Sequence, residues 1–227
     1  MRRPDATPFT NVALMRITLS SGTVAEIARA STNEIGIALH PDIMGLRDLF
    51  DDHVAGLASE GFTTCAIEPW PGQEDLPLEK RMDASFDLDR VLGDLQAAAD
   101  ATECQRVGVL GFCMGGMQAF RAAGTGRFHR AVAFYGMIDP PEPWRVPGRD
   151  PLDMLAKPET CRTLAILGGK DPYTPPDDIE KLRALSNVET AIYPEAEHGF
   201  AHAPERPSHR PDDAADAWRR ATEFFLS

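Results

Sequence analysis

Hydrophobic and polar residues alternate along positions 15–19 and again along 23–30, with Ser21-Gly22 between them. Alternation is the period of a strand with one covered face, and Ser-Gly is turn chemistry, so this stretch predicts a β-hairpin. From residue 35 the pattern changes. Short apolar runs at 35–39, 63–67, 107–110, 131–135, 164–167 and 188–193 read as strands covered on both faces. Between them, apolar residues recur every three or four positions, the period of a helix. Leu46, Leu49, Phe50, Val54 and Leu57 mark one helix, and Gly61 stands where a glycine would end it. Leu88, Val91, Leu92, Leu95 and Ala99 mark a second. Residues 115–123, 176–185 and 212–225 complete the set, the last with an acidic N-terminus that suits its dipole. Residues 69–85 and the proline-rich 139–158 have no period and read as loops, the second expected to cover the mouth of a site.

Strands alternating with helices predict an α/β fold: a mostly parallel central sheet, right-handed crossovers, and helices on both faces. With 227 residues and no repeat or linker, the chain is expected to form a single domain over 1–227. The net charge of −12 argues against nucleic acid or an anionic membrane as partner, since both reward a basic surface. Residues 1–11 are polar and hold two prolines, so neither a signal peptide nor a membrane span is expected. Cys65, Cys104, Cys113 and Cys161 form no CxxC pair and fit free thiols in a reducing cytoplasm. A small-molecule partner, and a monomer or homodimer, are the remaining expectations.

The run at 107–110 leads straight into Gly111-Phe112-Cys113-Met114-Gly115-Gly116, after which helical spacing begins. A strand that stops and restarts at once as a helix forces its middle residue into a strained conformation. Small residues two before and two after relieve the clash. This is a nucleophile elbow with Cys113 at its tip. Its sulfur stands above the carboxyl ends of the strands, at the positive end of a helix dipole. The Met114 N–H is free in the first helical turn and can face a developing oxyanion. A thiol of pKa about 8.5 is only a few per cent ionised at neutral pH, so it needs a base. His198, in Glu197-His198-Gly199-Phe200, follows the last strand, and Asp171, in Gly168-Gly169-Lys170-Asp171, follows the strand before it. Both fall at the elbow's edge of the sheet, in the chain order nucleophile, acid, histidine. Asp171 is the group to fix the imidazole tautomer and stabilise its cation. A second oxyanion donor is expected in His40-Pro41-Asp42-Ile43-Met44-Gly45. Pro41 has no N–H, and Ile43 is the candidate.

Together with Phe134-Tyr135-Gly136 and His198-Gly199-Phe200, these motifs resemble the dienelactone hydrolase family over nearly the whole chain, from about residue 35 to the last helix. The resemblance implies an α/β-hydrolase fold and hydrolysis of small carboxylic esters or lactones through a thioacyl-enzyme, without metal. Carried over, the triad is Cys113, His198 and Asp171, and the oxyanion donors are the amides of Ile43 and Met114. Two positions depart from the family pattern. Its best-known members carry Glu-Ile-Phe-Gly, whose Glu contacts the resting nucleophile; here the stretch is Asp42-Ile43-Met44-Gly45, with a shorter acid. They also carry an Arg four residues after the histidine, which pairs with the substrate carboxylate; here that residue is His202. Imidazole is a poorer carboxylate clamp than guanidinium, which leaves Arg81 or Lys80 as sources of positive charge. Asp42, His202, Arg81 and Phe200 are thus the expected substrate contacts.

Plainer readings stand beside these. Cys65, Cys104 and Cys161 read as packing residues. His198 and His202 at i, i+4 would need a helix to share a metal, and Gly199 and Pro204 argue against one, so no metal or other cofactor is expected. His40 either lines the pocket or caps its strand, while His53, His129 and His209 read as surface or structural. Trp70, Trp144 and Phe200 wall a pocket or fill the core. A non-catalytic ligand-binding module on the same fold is the alternative from another class. A thiol peptidase needs a more open cleft than a covering segment at 139–158 allows.

Overall fold

The computed structural model describes residues 12–32 and 34–227; the reading of residues 1–11 lies outside them. The strands are β1 (Leu14–Thr18), β2 (Val24–Ala28), β3 (Ile35–His40), β4 (Phe62–Ile67), β5 (Arg106–Phe112), β6 (Arg130–Phe134), β7 (Arg162–Gly168) and β8 (Val188–Tyr193). They form one sheet in the order β1-β2-β4-β3-β5-β6-β7-β8. β1 with β2 and β2 with β4 are antiparallel, and every pair from β4 to β8 is parallel. The hairpin and the central parallel strands therefore fall where the polarity pattern places them. β3 and β4 are buried along their whole length, as non-alternating apolar runs require.

Helices α1 (Asp48–Ser59) and α7 (Pro211–Leu226) cover one face of the sheet. On the other face lie α3 (Leu88–Ala101), α4 (Met114–Ala123), α5 (Pro151–Leu155) and α6 (Pro176–Arg183). α3 begins with Asp87 as N-cap, its carboxylate accepting from the N–H groups of Asp89 and Arg90.

Two loops of the sequence reading hold short helices. Residues 69–85 contain α2 (Leu78–Asp83), which is too short to display an apolar period. Pro77 opens it at φ −66°, a value already close to helical. Residues 139–158 contain a 3-10 turn at Glu142–Trp144 and α5, which a capping box between Asp150 and Asp153 starts. Among the described residues, no helix is long and apolar enough to cross a membrane.

Candidate active site

β5 ends at Phe112, α4 starts at Met114, and Cys113 between them sits at φ 58°, ψ −118°. A non-glycine residue there carries strain of about 1–3 kcal/mol, which the surroundings must hold. The Cys113 N–H donates to Phe134 O at 3.0 Å, pinning the elbow to β6. The neighbouring glycines are obligatory on steric grounds. A Cβ on Gly111 would lie 1.9 Å from Gly115 O, and one on Gly115 would lie 2.2 Å from His40 O.

The loops after β7 and β8 are drawn together in the same way. A Cβ on Gly168 would stand 2.5 Å from Ala196 O, and one on Gly169 2.6 Å from Pro194 O. Gly169 N–H donates to Tyr193 O at 2.8 Å and Lys170 N–H to Ala196 O at 2.9 Å, zipping the two loops together. Asp171 thereby meets His198: its Oδ2 accepts from Nδ1–H at 2.8 Å, and its Oδ1 takes the Tyr173 N–H at 2.9 Å. The edges of Tyr135 and Tyr173 hold the imidazole, with ring centroids 5.1 and 4.9 Å away. The other ring nitrogen, Nε2, is buried and has no protein hydrogen-bond partner among the described residues. Burial pulls the His198 pKa down, but the Asp171 hydrogen bond and the nearby Cys113 sulfur outweigh it and push it up to about 10.

Cys113, His198, Asp42 and Ile43 line one cavity of about 680 Å³, counting its open mouth. Its apolar walls are Met44, Leu78, Met82, Met137, Trp144 and Tyr173. Arg206 is the one arginine or lysine among the described residues lining it, and its guanidinium is in no ion pair there. Nη1 of Arg206 lies over Gly199, where a Cβ would come within 2.3 Å, so the cation rests beside the histidine loop.

The loop after β3 is tied down at nearly every polar group. Asp42 Oδ1 and Oδ2 each accept from Arg47 at 2.8 Å. Oδ1 also takes Met44 N–H at 2.9 Å, and Oδ2 takes His202 Nε2–H at 2.9 Å. Burial pushes the Asp42 carboxyl up, yet His202 and Arg47 together hold it well below the usual carboxylate range. The Ile43 carbonyl accepts from Trp70 Nε1 and Arg81 Nη1. In contrast, the Ile43 N–H has no acceptor among the described residues, and Met114 as first residue of α4 has no intrahelical one.

Three expected substrate contacts are corrected. Arg81 is buried and spends its guanidinium on the carbonyls of Ile43, Leu76 and Glu74. Phe200 lies in the core, its ring 5.0 Å from Tyr193 and 5.7 Å from Tyr135. His202 is buried between Asp42 and the Tyr135 hydroxyl, and burial lowers its pKa. None of the three lines the cavity. Asp42 does, but its carboxylate binds Arg47 and His202 and makes no hydrogen bond to Cys113. Of the covering segment 139–158, only Trp144 reaches the cavity; the cover comes from α2 through Leu78 and Met82. Trp70 packs beneath it. His40 stays in its strand end, with Nδ1 2.8 Å from Pro41 O. Arg206 escaped the sequence reading because it lies in an aperiodic loop eight positions past the histidine.

A mostly parallel sheet, a sharp elbow after β5, and an acid and a histidine after β7 and β8 define an α/β-hydrolase. The model of the dienelactone hydrolase family matches residues 22–227, so the chain belongs to that family and is a carboxylic ester hydrolase. The non-catalytic module falls away with that membership. A Bradyrhizobium protein named probable 2-oxo-3-(5-oxofuran-2-ylidene)propanoate lactonase is 30% identical over 205 residues, covering 83% of this chain and 82% of that protein. A Rhodococcus opacus carboxymethylenebutenolidase is 26% identical over 207 residues, covering 83% and 79%. A Klebsiella pneumoniae crystal structure assigned as a dienelactone hydrolase superposes with TM-score 0.85 at 24% identity, covering 96% of this chain and all of that one. This last likeness shows the fold.

Proposed function

We propose that the chain hydrolyses small carboxylic esters or lactones with Cys113 as nucleophile, His198 as base and acid, and Asp171 as the anion that orients His198. The observation that carries this reading is the 2.8 Å Asp171–His198 contact, which turns Nε2, without a hydrogen-bond partner among the described residues, to the cavity that Cys113 lines, with the Cys113 sulfur near enough to raise the imidazole pKa. With its pKa pushed up to about 10, His198 already holds on Nε2 the proton taken from the Cys113 thiol, and the thiolate attacks the substrate carbonyl carbon. As the S–C bond forms, the carbonyl electron pair moves to oxygen. The N–H groups of Ile43 and Met114 receive that oxyanion, each worth about 3 kcal/mol if typical. The intermediate collapses, the C–O bond breaks, and the alkoxide takes the proton from His198. In a lactone this alkoxide stays tethered to the acyl group. Water then gives a proton to His198 and attacks the thioester, and collapse releases acid and thiolate. Asp171 stays ionised throughout.

The cavity walls fit an apolar acyl or alcohol portion. Arg206, with no ion-pair partner among the described residues, suits a substrate carboxylate, the role the family pattern places four residues after the histidine. Cys113→Ala is expected to abolish hydrolysis of aryl acetates, and wild-type enzyme quenched mid-reaction should carry one acyl group on Cys113 by mass spectrometry. Iodoacetamide should label Cys113 far faster than Cys65 or Cys161, whose thiols burial pushes up to about 12 and about 11. A Cys113→Ala variant with full activity refutes the mechanism.

A further inference from the structure

Arg81 is a buried cation that hydrogen-bonds to no carboxylate among the described residues; the buried Glu68 carboxylate lies near enough to feel its charge but does not pair with it. Its hydrogen bonds all run to backbone carbonyls: Nε to Leu76 O at 2.7 Å, Nη1 to Ile43 O at 2.9 Å, and Nη2 to Glu74 O. Burying a guanidinium costs solvation, and neutral acceptors return less of it than a carboxylate would. The cation therefore has a demanding address for a residue that only closes a loop.

What those carbonyls join is specific. Glu74 and Leu76 lead into α2, whose Leu78 and Met82 line the cavity. Ile43 is the next residue after Asp42 in the loop with the candidate oxyanion amide. Its carbonyl takes a second donor, Trp70 Nε1 at 2.8 Å, and the Arg81 guanidinium lies 5.9 Å from the Trp70 ring. On the other side, Arg47, His202 and the Met44 N–H grip Asp42. Between the two grips lies the Asp42–Ile43 peptide, whose N–H is left without an acceptor among the described residues.

We propose that Arg81 is a positioning residue for the oxyanion hole: it locks the Ile43 carbonyl, aims the Ile43 amide, and fastens that aim to the cavity cover α2. This inference rests on the triad and oxyanion reading given above. Arg81 itself touches no reacting atom; it acts through the Ile43 backbone. One consequence is that the cover and the oxyanion donor move as a unit.

Two reactions of the same sulfur separate aim from assembly. Hydrolysis of p-nitrophenyl acetate passes through an oxyanion. Alkylation by iodoacetamide does not: the S–C bond forms at a saturated carbon as the C–I bond breaks and iodide leaves. Arg81→Met removes all three hydrogen bonds, Arg81→Lys keeps the charge without the three-way grip, and Trp70→Phe removes only the second donor to Ile43. In Arg81→Met, kcat is expected to fall roughly 10- to 100-fold, short of the ~10²–10³ lost with an oxyanion donor removed outright. Alkylation of Cys113 is expected to stay within about twofold of wild type, because that reaction needs no oxyanion donor. Arg81→Lys and Trp70→Phe should show smaller losses with the same selectivity, and they carry the test if Arg81→Met does not fold. Equal losses in both reactions overturn the proposal, because Arg81 would then hold the whole site rather than aim one donor. Unchanged hydrolysis in Arg81→Met overturns it too. A wild-type Cys113 that labels no faster than the other thiols breaks the underlying triad reading, and that result appears before any Arg81 variant is made.

Discussion

His198 and His202 stand four residues apart, each against a buried aspartate, and they end in opposite states. His198 gives Nδ1–H to Asp171, which holds no other cation among the described residues, and this bond together with the Cys113 sulfur drives the imidazole pKa up. His202 gives Nε2–H to Asp42, but Arg47 already neutralises that carboxylate from both oxygens. The other nitrogen of His202 is taken by Tyr135, so burial prevails and the imidazole stays neutral. One pair leaves a nitrogen free for proton transfer; the other closes both and becomes a strut under the oxyanion loop. A carboxylate activates a histidine only when its own charge is not already spent.

Removing the anion that makes the difference should have the largest effect. Asp171→Asn keeps His198 in place but lets it adopt the wrong tautomer, and kcat on an aryl ester should fall about 10³- to 10⁴-fold. A variant within tenfold of wild type would mean that Asp171 is not what distinguishes the two pairs.

Acid sharpens the comparison next. Burial holds His40 and His53 at about 4, against an ordinary 6.5, and lowers His202 as well. The unfolded chain then binds protons that the folded chain refuses, so stability should fall as pH drops from about 6.5 towards 4, by on the order of 3 kcal/mol for His40 alone. His198 has the opposite sign: its contribution is present below 6.5 and lost as pH rises through about 10. Urea midpoints across that acid window test this, and a flat profile would contradict the neutral, buried assignment.

The smallest effect is expected at the strut. His202→Gln leaves the Tyr135 hydroxyl and one Asp42 oxygen poorly satisfied, costing roughly 2 kcal/mol of stability by denaturant titration while kcat changes less than tenfold. A loss of activity as deep as that of Asp171→Asn would make His202 part of the chemistry.

Of this contrast the sequence held the elbow and the placement of the Asp171 and His198 loops; it read His202 as a substrate contact and not as a strut. The run Gly111 to Gly116 dictates an elbow because a backbone that turns so tightly tolerates no Cβ at Gly111 or Gly115. The loops holding Asp171 and His198 follow from strand order, since parallel strands deliver successive loops to one edge. Helix α2 was not legible, because six residues are too few to reveal a period. Nor was the capped turn of α5, hidden among prolines.

The fates of the long polar side chains were also out of reach. Arg81, expected at the substrate, clasps three carbonyls; Arg206, in an aperiodic loop, reaches the cavity instead. Local sequence determines where strands, turns and the elbow form, because sterics and periodicity act between near neighbours. Which guanidinium is spent inside and which stays free depends also on a distant partner, Ile43 at 38 residues from Arg81, and only the folded packing of β3, α2 and the histidine loop decides that.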